Sequence, residues 1–87
     1  VLVTISGLVY TFGKANREGQ LGHGDQHSRR APEVISALRN EKVASASCGL
    51  KHVVCRTSLG KVYSWGWNGM GQLGLGDFDN KYIPEFV

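Results

Sequence analysis

Two groups of residues in this 87-residue chain are of types and spacings that could do chemistry. Gly69, Gly71 and Gly74 form a literal G-x-G-x-x-G after the β-rich run Val62 to Trp65. In a dinucleotide site such glycines admit a pyrophosphate against the N-terminus of a following helix. Here Leu75 to Asn80 follow and read as a turn, so the glycines are expected only to shape a tight loop. Cys48, His52 and Cys55 form C-x3-H-x2-C, with His23 and His27 elsewhere. Zinc needs four convergent N or S ligands. His52 and Cys55, three apart on a strand, point to opposite faces, so the spacing opposes a shared metal. A cysteine nucleophile needs a base and an orienting partner. His52 is near in sequence, but no acid accompanies it and the carboxylates are scattered across loops. Cys48 and Cys55 are read as small buried hydrophobes. No catalytic residue, metal or cofactor is expected, and the chain is not read as an enzyme.

The elements that must position these residues are β. Val1 to Ile5, Val9 to Phe12, Val53 to Arg56 and Val62 to Trp65 are short runs rich in β-branched and aromatic residues. Ser6-Gly7 and Leu59-Gly60 join them pairwise, a hairpin signal. Val34-Ile35 and Val43 to Ser47 are weaker strand candidates, and Ala37 to Lys42 admits one helical turn. Pro32 and Pro84 suit a strand start or edge, where a missing N–H is tolerated.

These elements repeat. VYTFGKANREGQLGHGD from Val9 matches VYSWGWNGMGQLGLGD from Val62. The offset is 53 up to Gly13 and 52 from Ala15 onward, one extra residue at Lys14 or Ala15 making the slip. Of 13 aligned pairs before the insertion and 21 after it, 15 are identical. By the offset, residues 1–53 are the first unit and 54–87 the start of a second, all within one propeller domain. A unit of that length holds four strands of usual size and is expected to be a blade of an all-β, antiparallel propeller.

The repeated motif resembles the regulator of chromosome condensation family. Its carriers are V-Y-[ST]-[FW]-G, the string Gly19-Gln20-Leu21-Gly22-x-Gly24-Asp25 and its copy Gly71-Gln72-Leu73-Gly74-x-Gly76-Asp77, and Cys48-Gly49-x-x-His52. The glycine doublet of kelch repeats and the Trp-Asp pair of WD repeats do not occur. The resemblance implies a seven-bladed propeller of four-stranded sheets, of which this chain holds under two repeats. It also implies a structural His52 whose ring bonds nearby backbone. Trp65 aligns with Phe12 and reads as blade core, whereas Trp67 falls in a loop. A light-sensing branch of the family uses tryptophans flanked by arginines, but Gly66-Trp67-Asn68-Gly69-Met70 lacks the arginine.

Propellers bind through loops on a rigid scaffold. The exposed loops are therefore the candidates for partner binding: Lys14, Asn16, Arg17 and Glu18, with counterparts Trp67, Asn68 and Met70, then His27, Arg29, Arg30, Lys81 and Tyr82. The function expected is a protein-interaction scaffold or regulatory module. The alternatives are an exchange factor for the small GTPase Ran on chromatin, and a structural part of a large assembly. Partners are other proteins, the remaining blades of a longer parent, or copies of this chain. The net charge of +3 is a mild bias, and Arg29-Arg30 is the only tight basic cluster, so nucleic acid is not expected. No apolar run approaches the roughly 20 residues of a membrane span. Two cysteines are too few for a secreted disulfide scaffold, and both are expected as free thiols of a reducing compartment, nucleus or cytosol. A chain that starts at Val1 is expected to be part of something longer, because adjacent blades bury each other's faces.

Overall fold

A computed structural model of the chain describes every residue except Ala15 and Leu50, and leaves out the side chain of Leu2. The first sheet contains β1 (Leu2–Val3), β2 (Val9–Gly13) and β3 (Arg29–Val34), in that order and antiparallel. A single 3-10 turn, Ser36–Leu38, leads to the second sheet. That sheet orders β4 (Val43–Cys48), β5 (His52–Thr57), β6 (Val62–Gly66) and β7 (Lys81–Phe86) as a four-stranded antiparallel meander. These are the blades the repeat implied. The first sheet contains counterparts of β5, β6 and β7, and no counterpart of β4 among the described residues.

The two hairpins close by the same chemistry. Gly7 and Gly60 take φ of +90° and +86°, a region open to glycine at little cost. The Thr4 hydroxyl accepts from Leu8 N–H at 3.0 Å, and the Thr57 hydroxyl accepts from Lys61 N–H at 3.1 Å. Strand pairing repeats as well. Tyr10, Thr11 and Gly13 face Val34, Glu33 and Arg29; Tyr63, Ser64 and Gly66 face Phe86, Glu85 and Lys81. A bulge interrupts both ladders just before the glycine. Pro32 and Pro84 lie in β3 and β7, each an edge strand, where no ladder N–H is required.

The sequence period breaks between residues 53 and 54, and the sheets divide between Val34 and Val43. The period of a repeat says nothing about its phase, which packing sets. Two expectations are corrected. β1 covers only Leu2–Val3 rather than Val1 to Ile5. Arg29, Arg30, Lys81 and Tyr82, expected on loops, begin strands β3 and β7. Each segment opens on a charged residue and carries a proline, which weakens its strand signal, and pairing to β2 and β6 holds it extended.

The core lies between the sheets. Val9 from β2, Ile35, Leu38, Val43, Val53, Cys55 and Trp65 form one buried cluster, with Ala46 and Tyr63 packed on it. Trp65 is 0% exposed and its aligned residue Phe12 is 47% exposed. The difference has a direct cause: the second sheet has the first beside it, and Phe12 faces the side where no sheet stands.

Candidate partner-binding surface

Each blade carries a long loop between its third and fourth blade positions, residues 14–28 after β2 and 67–80 after β6. One buried asparagine organises each. Asn16 and Asn68 are 1% and 0% exposed. The Asn16 Oδ1 accepts from Leu21 N–H at 2.9 Å, and its Nδ2 donates to His27 O at 2.6 Å and Asp25 O at 3.1 Å. The Asn68 Oδ1 accepts from Leu73 N–H at 3.1 Å, and its Nδ2 donates to Asp77 O at 2.9 Å and Asp79 O at 3.0 Å. Both were expected at a binding surface. Their amides are consumed inside the loop, so neither can meet a partner.

The aspartate of each G-Q-L-G-x-G-D string completes the loop. Asp25 takes the Arg29 guanidinium at 2.8 Å and the His27 N–H at 2.9 Å. These two partners, the guanidinium first, hold its carboxyl down to about 2. Asp77 takes the Lys81 ammonium at 3.0 Å and the Asp79 N–H at 3.1 Å, and is lowered for the same reason. Arg29 also binds Glu33 at 2.7 Å. The charges of Arg29 and Lys81 are thus paired within the chain.

The glycine string of the first blade is a seam. Trp65 Nε1 donates to Gln20 O at 3.0 Å, and Gly24 N–H donates to Tyr82 O at 2.8 Å. A Cβ on Gly22 would stand 2.8 Å from Trp65 Nε1, and one on Gly19 would strike the Tyr82 ring. Tyr82 therefore packs on the neighbouring blade. Underneath, the Thr11 hydroxyl donates to Leu21 O at 2.6 Å and so must accept from His23 Nε2 at 2.8 Å. Ser64 repeats the bond to Leu73 O at 2.9 Å. A groove of about 670 Å³ is lined by Phe12, Gly13, Lys14, Ser28, Arg29 and Arg30. Its walls are the counterparts of Trp65, Gly66 and Tyr82, which the Gly19-Gln20 segment covers in the second blade. It corresponds to the surface that the first blade's loop covers in the second blade, and Arg30 lines it.

A second groove lies at the loop end of the second blade. Trp67, Met70, Lys51, His52 and Gln72 line a groove of about 390 Å³. Trp67 N–H donates to Lys51 O at 2.8 Å, and the Lys51 ammonium stands 5.8 Å from the Trp67 ring centroid, within cation–π range. The Trp67 ring lies over Gly69, where a Cβ would approach it to 2.6 Å. Met70 is 79% exposed. Lys14 and Arg17 are exposed and Glu18 half-buried on the first blade's loop, and the His27 side chain is exposed. Lys51 was absent from the sequence-derived candidates. The match runs only forward from Val1, so its turn had no counterpart to mark it as variable.

The other chemical motifs resolve into structure. Gly71 N–H and Gly74 N–H donate to Asn68 O and Gly71 O, so the G-x-G-x-x-G backbone is closed on itself. Cys55 is buried, and burial pushes its thiol up to about 11. Cys48, expected to be buried, is exposed at the end of the edge strand β4. The His52 ring rests on Gly49, where any side chain would collide with it. Part of the C-G-x-x-H turn, Leu50, lies outside the described residues, as does Ala15 of the insertion.

Human Protein RCC2 is 44% identical over 77 residues, covering 88% of this chain and 15% of that protein. The ultraviolet-B receptor UVR8 of Arabidopsis thaliana is 43% identical over 87 residues, covering all of this chain and 20% of the receptor. The solved structure of Prp20p from Saccharomyces cerevisiae, described with its binding properties to Gsp1p and histones, superposes with a TM-score of 0.84 at 22% identity. It covers 98% of this chain and 22% of Prp20p, and supports the fold. The chain thus spans about a fifth or less of the relatives it matches. The regulator of chromosome condensation (RCC1) repeat matches residues 6–56 and 60–87, which include both loops and the seam, and the chain belongs to that family.

Proposed function

We propose that the chain is part of a protein-binding propeller that takes up a partner's apolar side chain between Trp67 and Met70. The observation that supports this is the arrangement around Asn68. A buried, fully bonded residue stands between two interface-type side chains, the half-buried Trp67 and the exposed Met70, with the Lys51 ammonium beside the Trp67 ring. Such a surface is pre-organised, so a partner loses little further entropy in ordering it. The test is quantitative affinity purification of the full-length protein with Trp67→Ala and Met70→Ala together. At least one near-stoichiometric protein is expected to fall about tenfold at unchanged unfolding midpoint, which is about 1.4 kcal/mol. A partner set identical to wild type overturns the reading and favours a purely structural role.

Nucleotide exchange on a small GTPase is the second reading, and it draws on the binding described for Prp20p. Release of labelled nucleotide from Ran in the presence of the full-length protein decides it. A rate equal to the spontaneous one removes it.

A further inference from the structure

Two aliphatic side chains stand out at the other end of the blades. Ile5 is at the β1–β2 turn and Leu59 at the β5–β6 turn, 103% and 83% exposed. The turn 39–42 lies between these hairpins. Val43 N–H donates to Gly7 O at 3.1 Å on one side, and Ser58 N–H donates to Lys42 O at 2.8 Å on the other. Arg39 and Lys42 of this turn are exposed. Its acid, Glu41, is held by Lys61 at 3.7 Å. Among the described residues no carboxylate pairs with Arg39 or Lys42.

The exposure survives in a larger propeller, and the chain itself shows why. By the offset, Ile5 corresponds to Ser58 and Leu59 to Ser6. Ser58 is exposed although a blade stands before it, and Ser6 is exposed although a blade stands after it. Further blades therefore leave Ile5 and Leu59 in water. This separates them from Phe12, whose counterpart Trp65 a neighbour covers fully. The hairpin end thus offers two apolar tips with an unpaired cation between them.

We propose that this end docks an acidic, aliphatic segment of a partner protein. Its apolar side chains lie against Ile5 and Leu59, and its carboxylates meet Lys42 and Arg39. Complementary charge sets the register and speeds association, and the tips supply the apolar contact. Because Lys42 sits between the tips, charge and apolar contact alternate along a narrow track suited to one polypeptide segment. The site is on the opposite end from Trp67 and goes beyond the reading above.

The test places photoreactive benzoylphenylalanine at position 59 of the full-length protein in cells, with position 70 probed in parallel. The adduct peptide at 59 is expected to be rich in Asp or Glu beside aliphatic residues. Its yield is expected to fall at least tenfold with Arg39→Glu and Lys42→Glu, while the yield at 70 stays constant. If the charge reversals lower the unfolding midpoint, Lys42→Gln with Arg39→Gln replaces them, with a severalfold loss expected. An adduct on lipid, an adduct on a segment without acids, no adduct, or a yield indifferent to the substitutions overturns the proposal. Loss of adducts at 70 alone counts against the Trp67 surface and leaves this one standing.

Discussion

At the scale of single residues, Asn68 shows how a loop is built from one amide. Its side chain satisfies one buried N–H and two carbonyls, and no shorter or singly functional side chain can do both. Asn68→Ala orphans Leu73 N–H and is expected to cost about 1–3 kcal/mol for that group alone. Asn68→Asp is expected to do no better, because a carboxylate there cannot donate and would face the Asp77 carboxylate, now 2.9 Å from Nδ2. Urea unfolding of the full-length protein checks both, and an Asp variant of near wild-type stability would refute the account. The signal for this role was present in the sequence. Asn16 and Asn68 match across the offset while their neighbours Arg17/Gly69 and Glu18/Met70 do not. Asparagine is common in turns, so identity at an otherwise variable stretch is what separates a clamp from a solvated loop residue. Lys51 shows the opposite limit, since only its place beside the Trp67 ring gives it meaning.

At the scale of elements, the hairpins were legible because their residues carry β-propensity and their turns carry glycine. β3 and β7 were not, because they read as charged and proline-bearing until β2 and β6 pair with them. What ties each of these strands to its loop is an aspartate and a cation four residues on. This coupling has a pH signature. The Asp25 carboxyl sits at about 2 in the folded chain, below the roughly 3.9 of an unfolded aspartate. The native state therefore binds fewer protons there than the unfolded state between those values. Its stabilising contribution is complete above about pH 4 and is lost as pH falls toward 2. Asp25→Asn is expected to be less stable than wild type at neutral pH, with the gap closing on acidification. Unfolding midpoints of both proteins from pH 7 to pH 2 check this, and a gap that is constant or widens toward acid contradicts it.

At the scale of the whole molecule, the seam inside the chain is a template for any seam that a further blade would make with it. Gly22 takes φ of +77° and its Cβ position lies 2.8 Å from Trp65 Nε1 and 3.1 Å from Ile35 Cδ1. Gly74 takes φ of +74°, yet a Cβ there meets only Val87 Cγ1, at 3.6 Å. Two separate costs attach to an alanine at such a position. One is backbone strain in the left-handed region, about 1 kcal/mol, which both sites share. The other is overpacking against a neighbouring blade, typically a further 1–3 kcal/mol, which within this chain only Gly22 meets. If a following blade docks on the second loop as the second sheet docks on the first, Gly74 meets that blade's own tryptophan or phenylalanine. In the full-length protein Gly22→Ala and Gly74→Ala are then expected to cost alike, each about 2–4 kcal/mol from the sum of the two effects. Thermal unfolding of the two variants side by side is the measurement. A Gly74→Ala variant that loses only the strain term while Gly22→Ala loses both would mean that no blade closes on this side. The carbonyl of Gln72 would then face solvent in the whole protein.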